Sequence, residues 1–189
     1  MKNICVYCGS NPGVREEYAD AARNLARHLA GQGIGVVYGG ASKGLMGVLA
    51  DSMLAAGGSV VGVIPEALKA REIAHRNLTE LHVVNSMHER KALMAELSDA
   101  FVALPGGFGT LEEIVEMLTW AQLQIHQKPC GLLNVDGYFD SLLAYFEHAE
   151  AEGFLRPQHR KMLLVAEDSA ELVSLFEEYR APTVQKWVR

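Results

Sequence analysis

Two short stretches hold residues whose types and spacing suit an anionic substrate. The first is Leu104-Pro105-Gly106-Gly107-Phe108-Gly109-Thr110-Leu111-Glu112-Glu113, which gathers three glycines, a hydroxyl and two carboxylates. It follows the apolar run Phe101-Val102-Ala103-Leu104 and precedes Leu111, Ile114, Val115, Leu118 and Leu123, spaced as on an amphipathic helix. Pro105 cannot donate to a sheet ladder and ends the strand. Gly106, Gly107 and Gly109 would permit positive φ and a close approach of ligand to backbone. Thr110 occupies a capping position, with Glu113 three residues on, as in a capping box. The first N–H groups of that helix have no internal partners and sit at the positive end of its dipole, a setting for phosphate. The loop is not a dinucleotide fingerprint, because Glu112 stands where a third glycine belongs.

The second stretch is His88-Glu89-Arg90-Lys91, at the start of a helix that follows another strand. Cations there oppose the local dipole, so a solvated face would explain them only at slight cost. Two adjacent cations facing a phosphate loop suit an anionic ligand, and arginine offers a planar fork for it. Adjacent helical residues point about 100° apart, so Glu112 and Glu113 cannot both face a ligand. Glu113 shares the face of Thr110; Glu116 lies on nearly the same face, and His88 is within reach of the same region. A third segment, Gly39-Gly40-Ala41-Ser42-Lys43-Gly44, turns from a strand into a helix. It fails as a Walker loop, since Leu45 stands where lysine is required. A plain tight turn and a second backbone contact to the ligand both fit it.

The elements that must position these residues alternate regularly. Strands are expected at 4–8, 35–38, 60–64, 81–84, 101–104, 131–134 and 162–165. Helices are expected at 18–29, 45–56, 87–97, from Leu111 onward, at 138–150 and at 169–179. Residues 66–77 lack periodicity and read as a loop or short helix outside the core. Apolar strands joined by crossover helices imply a parallel sheet covered on both faces. The expected fold is α/β: a Rossmann-like doubly wound sheet of about seven strands in one domain spanning residues 1–189. In such sheets ligands bind beyond the carboxyl ends of the strands, which gathers the loops at Gly9-Ser10, Gly39-Gly40, 87–91 and 105–113.

Composition narrows the function classes. The chain has 189 residues, 49% apolar and 21% charged, with a net charge of −6. No basic stripe suggests nucleic acid or a membrane surface. No apolar run approaches the ~18 residues a membrane span needs, and no leader precedes the first strand, so a cytoplasmic location is expected. Cys5 and Cys8 form a C-x-x-C within a strand; their side chains would point to opposite faces, too far apart for a disulfide. They read as buried small residues. The seven histidines show no metal-ligand spacing; His28, His126, His148 and His159 read as surface residues.

Pro105-Gly106-Gly107-Phe108-Gly109-Thr110-Leu111-Glu112-Glu113 resembles the P-G-G-x-G-T-x-x-E signature of the Lonely-Guy (LOG) family. Met87-His88-Glu89-Arg90-Lys91 resembles its arginine-lysine signature, and the segments around Val6-Tyr7-Cys8-Gly9-Ser10 and Tyr38-Gly39-Gly40 are similar too. The chain departs from the commonest pattern at Ala41, usually glycine, and at Phe108, usually tyrosine, whose hydroxyl is missing here. The resemblance runs to about Val173. It implies hydrolysis of the N-glycosidic bond of a purine nucleoside 5′-monophosphate, AMP included, giving free base, often a cytokinin, and ribose 5-phosphate. By motif position it implies Arg90 and Glu113 as the catalytic pair. It places the phosphate on the Gly107 to Thr110 segment beside Gly106, with Leu111 and Glu112 following. Lys91, Glu72 and Thr119 would contact the nucleotide, and Gly39, Gly40 and Ser10 would complete the pocket. It implies no cofactor, no metal, and a homodimer. It does not imply the lysine decarboxylation by which many members are labelled, since no lysine stands in a Schiff-base context. The competing reading is a nucleotide-binding or carrier protein of the same fold, which needs the loop but not both Arg90 and Glu113. Nothing in the sequence reads a substituent on the purine N6.

Overall fold

The computed structural model describes residues 1–69 and 74–182. In chain order the elements are β1 (Asn3–Tyr7), α1 (Glu16–Gly31), β2 (Gly35–Tyr38), α2 (Gly44–Ala55), β3 (Val60–Pro65), a one-turn α3 (Glu66–Lys69), β4 (Glu80–Val84), α4 (Met87–Glu96), β5 (Ala100–Ala103), α5 (Phe108–Gln122), β6 (Cys130–Leu133), α6 (Asp140–Ala151), α7 (Pro157–Arg160), β7 (Leu163–Ala166) and α8 (Ser169–Glu178). The seven strands form one sheet in the order β4-β3-β2-β1-β5-β6-β7, and every pairing is parallel. The chain winds outward from β1 in one direction, then restarts at β5 in the other. The crevice between β1 and β5 is therefore the switch point where a ligand is expected.

Period-two alternation along β1 divides the core. Ile4, Val6 and Cys8 pack with Leu25 and Leu29 of α1, Leu45 and Leu49 of α2, and Leu172 and Phe176 of α8. Cys5 and Tyr7 pack on the other face with Met94 of α4, Ile114 and Met117 of α5, and Phe139. Helices cover both faces, as the uninterrupted apolar strands require. Cys5, Cys8 and Cys130 are all buried and unbridged, the first two on opposite faces. No helix among the described residues is long and apolar enough to cross a membrane.

Three expectations change. The α5 helix begins at Phe108 with Gly107 as its N-cap, so Thr110 lies inside the first turn and is not the cap. His159 is buried, its Nδ1 2.8 Å from Gln122 Nε2. His126 is half-buried: Nε2 lies 3.0 Å from the Met117 carbonyl and Nδ1 accepts from the Lys128 amide at 3.1 Å. Both imidazoles sit where α5 meets its neighbouring segments, and period counting along single helices misses such contacts. The irregular 66–77 segment holds α3 and an antiparallel bridge between Ala74 and Ala41. Glu72 lies outside the described residues.

Candidate active site

At the start of α5 the backbone alone makes the cap. Gly107 is extended (φ −97°), offers no side-chain cap, and its carbonyl accepts the first helical bond from Leu111 at 3.1 Å. The N–H groups of the following residues precede that bond and face outward from the helix end. Gly106, Gly107 and Gly109 are absent from the positive-φ positions, so backbone conformation does not demand glycine at any of them. Gly106 is required by proximity: a Cβ there would overlap the Thr110 side chain and approach the Gly9 amide at 2.9 Å. At Gly107 and Gly109 a Cβ would meet nothing within 4 Å. At Gly109, inside the first turn, glycine is less stable than alanine and neither strain nor protein packing asks for it, whereas Gly107, as the N-cap, is at a position that favours glycine over alanine. The space these two residues leave open lies over the helix N-terminus, where a phosphate would sit.

Gly9 ties this turn to the second glycine-rich segment. Its amide donates to the Pro105 carbonyl at 3.0 Å, and its own carbonyl accepts from Leu45 at 3.0 Å. The N-terminus of α2 is thus capped by Gly9 rather than left for a ligand. Gly40 adopts φ +80° and its carbonyl accepts from the His75 amide at 2.9 Å. Of the two readings of this segment, the tight turn describes Gly40. Gly39 has a different reason to be glycine: a Cβ would overlap the Arg90 guanidinium, which lies across it.

Arg90 and Lys91 are carried by α4, whose start is capped by its own sequence. Ser86 accepts from the Glu89 amide at 3.1 Å, while the Glu89 carboxylate accepts from the Asn85 amide at 2.8 Å. This is a capping box displaced by one residue, and the Ser86-Met87-His88-Glu89 signal was present in the sequence. Arg90 follows in the second turn and is buried, with Nη2 3.4 Å from the Gly39 carbonyl and 4.0 Å from Glu113 Oε1. Glu113 is itself mostly buried, 13% exposed in its side chain. Its negative charge reaches the thiol of Cys8, whose pKa is pushed well above the ordinary range by burial first and by Glu113 second. The phenol of Tyr7 is raised likewise by burial, with Glu113 a lesser contributor.

Lys91 points about 100° around α4 from Arg90 and also meets α5. Its ammonium is 2.5 Å from Glu112 Oε1 and 2.9 Å from Glu116 Oε2. Burial pulls its pKa down, but the bonds to Glu112 and Glu116 outweigh that, and it ends above its usual value. A lysine held this firmly charged is not a Schiff-base nucleophile, which needs a neutral amine.

These parts surround a cavity of about 440 Å³ at the β1/β5 switch point, within the range for a small-molecule site. Ser10, Gly39, Arg90, Gly106, Gly107, Phe108, Gly109, Thr110, Glu112 and Glu113 line it. Contrary to the expectation that adjacent positions exclude each other, Glu112 and Glu113 both line it, because the cavity is wide enough at the α5 start to take Glu112 at its half-exposed rim and Glu113 deeper. Gly40, Lys91, Leu111 and Thr119 do not line it. Lys91 is turned aside by its two carboxylates. Thr119 lies about three turns along α5, where its hydroxyl donates to the Val115 carbonyl at 2.8 Å and it borders a separate groove. His88 is exposed and also outside the cavity wall. The sequence reading did not place Tyr7, Tyr18, Met46, Leu68 or Tyr138 at the site, and they too line the cavity. Tyr18 carries no signal beyond an apolar stripe, and Tyr138 is brought in by the turn after β6. Among the described residues, no three His, Cys, Asp or Glu side chains are grouped to hold a metal ion.

A family model described as possible lysine decarboxylase matches residues 46–176. A probable cytokinin riboside 5′-monophosphate phosphoribohydrolase of Oryza sativa subsp. japonica is 53% identical over 179 residues, covering 95% of this chain and 79% of that protein. A cytokinin riboside 5′-monophosphate phosphoribohydrolase of Arabidopsis thaliana is 49% identical, covering 95% of this chain and 83% of its own length. Among solved structures, the molybdenum cofactor carrier protein of Chlamydomonas reinhardtii superposes with a TM-score of 0.70 at 22% identity, covering 94% of this chain and 96% of that one. That likeness establishes the shared fold only. Identity near one half over almost the whole chain, together with the matched family model, shows that the chain belongs to the Lonely-Guy family.

Proposed function

We propose that the protein hydrolyses the N-glycosidic bond of purine nucleoside 5′-monophosphates, cytokinin nucleotides and AMP among them, giving free base and ribose 5-phosphate. The observation that carries this reading is the buried Arg90–Glu113 pair, 4.0 Å apart, in the same cavity as the open glycine start of α5. A protein that only carries a nucleotide needs the glycine start. It gains nothing from burying a carboxylate where the sugar would lie. The names of the relatives at about half identity support the same chemistry.

The reaction passes through a sugar with oxocarbenium character. Glu113 is placed to stabilise that cation and to orient or deprotonate the attacking water. Burial strengthens its field, because few solvent dipoles screen it there. Arg90 faces it with a fixed fork, able to hold the nucleotide and to offset charge on the departing base. The α5 N-terminus takes the phosphate, whose binding energy positions the sugar. Incubation with AMP followed by chromatography of the products is the test: adenine should appear. Adenosine, lacking the phosphate, should be cleaved far more slowly; equal kcat/KM for the two would overturn the phosphate assignment.

We further propose that the chain acts as a homodimer. Val115, Leu123 and Ile125 along and just beyond α5, with Tyr145 and Phe154 on and after α6, are exposed apolar side chains of the kind a partner surface covers. Sedimentation equilibrium yielding the mass of one chain across the working concentration range would refute this.

A further inference from the structure

The turn after β6 reaches across to the phosphate loop through one atom. Tyr138 donates its phenolic hydrogen to the Gly106 carbonyl at 2.6 Å. The carbonyl of Gly106 and the amide N–H of Gly107 belong to one planar trans unit and point in opposite directions. Whatever fixes the carbonyl therefore fixes the N–H, which is the first donor of the loop. This unit needs fixing, because glycine flanks it on both sides. With no Cβ at either residue, rotation of the peptide plane is opposed by little.

The phenol is itself held. The turn before it runs through Asp136 and Gly137, both at positive φ, and Tyr138 donates its amide to Val135 at 3.0 Å. Its ring lies edge-on to Tyr18 at 5.4 Å and to Phe139 at 5.0 Å. The Phe139 amide is bonded to Asn134 Oδ1 at 2.7 Å. The clamp thus hangs from β6 and α1 rather than from the loop it restrains.

We propose that Tyr138 is a positioning residue for phosphate recognition: its hydroxyl locks the Gly106–Gly107 peptide in the orientation that presents the Gly107 amide. This rests on the reading that the α5 start holds the substrate's 5′-phosphate. Phe108, which lacks the hydroxyl commonest at its position, lies 94% exposed and takes no part in the lock.

The test is Tyr138→Phe, which keeps the ring and its packing and removes one oxygen, with Tyr179→Phe as a control on a partly buried tyrosine outside the cavity. Ribose 5-phosphate binding is measured by calorimetry and AMP turnover by steady-state kinetics. Loss of a donor to a half-buried carbonyl should weaken ribose 5-phosphate binding and raise KM for AMP by about tenfold. The value of kcat should stay within about twofold, the signature of lost ground-state binding. The melting temperature guards against a general loss of structure. Unchanged ribose 5-phosphate affinity in Tyr138→Phe would overturn the proposal. So would an equal loss for unphosphorylated ribose, or a fall in kcat with KM unchanged. The hydrolase reading fails separately: wild-type protein that binds ribose 5-phosphate but releases no base from any nucleoside monophosphate defeats that reading, while the affinity change still decides the role of Tyr138.

Discussion

At the scale of single residues, two buried charges, Arg90 and Glu113, face each other across the crevice between α4 and α5. Glu113→Gln keeps the shape and deletes the charge. We expect kcat for AMP to fall at least ~100-fold, in line with removal of a positioned catalytic group; a folded variant with near-normal turnover would reduce Glu113 to packing. Arg90 is held from behind by Gly39, where a methyl group would collide with the guanidinium. Gly39→Ala should therefore behave like a mutation of Arg90, lowering kcat by an order of magnitude or more although Gly39 bears no side chain. The melting curve and the rate constants, taken together, check it: a stable Gly39→Ala with normal kcat would mean that the exact seat of Arg90 does not matter.

At the scale of elements, the α5 start sets function against helix stability. Gly109 is a helical residue with a negative φ and free space beside it. Gly109→Ala should leave the fold intact and stabilise it by up to ~1 kcal/mol, yet raise KM for AMP several-fold by intruding on the phosphate. A melting temperature that rises while affinity falls is the expected result; a rise in stability with unchanged KM would place the phosphate elsewhere. Much of this element was legible in the sequence. Pro105 and the glycines marked the end of β5, and the 3-4 spacing of Leu111, Ile114 and Leu118 marked the helix. Its first residue was not legible, because glycine at 107 caps with backbone alone and a threonine three residues later imitates a cap. The real capping box, Ser86 with Glu89, has the S-x-x-E spacing in the sequence, but Arg90 and Lys91 follow it directly and oppose the dipole of the same helix end, which masks the cap. Lys91 shows a different limit: its carboxylates, Glu112 and Glu116, are more than twenty residues away in sequence, and only the packing of α4 against α5 brings them to it.

At the scale of the whole molecule, the apolar strands announced the doubly wound sheet and hence the switch point, since a strand buried on both faces must be apolar throughout. The edges of the site contributed by Tyr18 and Tyr138 depend on how separate elements meet, and no local pattern encodes that. One such meeting predicts a pH dependence. His126 uses one ring nitrogen as donor to Met117 and the other as acceptor from Lys128, an assignment that requires the neutral ring. Burial, and to a lesser degree the Lys128 charge, keep its pKa below 6.5. The unfolded chain therefore binds a proton at higher pH than the native one does. Stability is present above about 6.5 and is lost as pH falls from there towards the native pKa. Chemical denaturation at pH 7.5 and pH 5.5 should show this fall, and His126→Gln, which cannot titrate, should flatten it. An equal pH dependence in the variant would assign the effect to other groups.

The position of Cys8 bears on how this protein could be inhibited or labelled. Cys8 is among the residues that line the candidate cavity, the place where a thiol-directed warhead would be aimed. Alkylation and oxidation proceed through the thiolate, and burial beside Glu113 suppresses that form at neutral pH. Iodoacetamide should leave the native enzyme active, so reversible compounds that mimic the phosphosugar have better prospects than covalent ones.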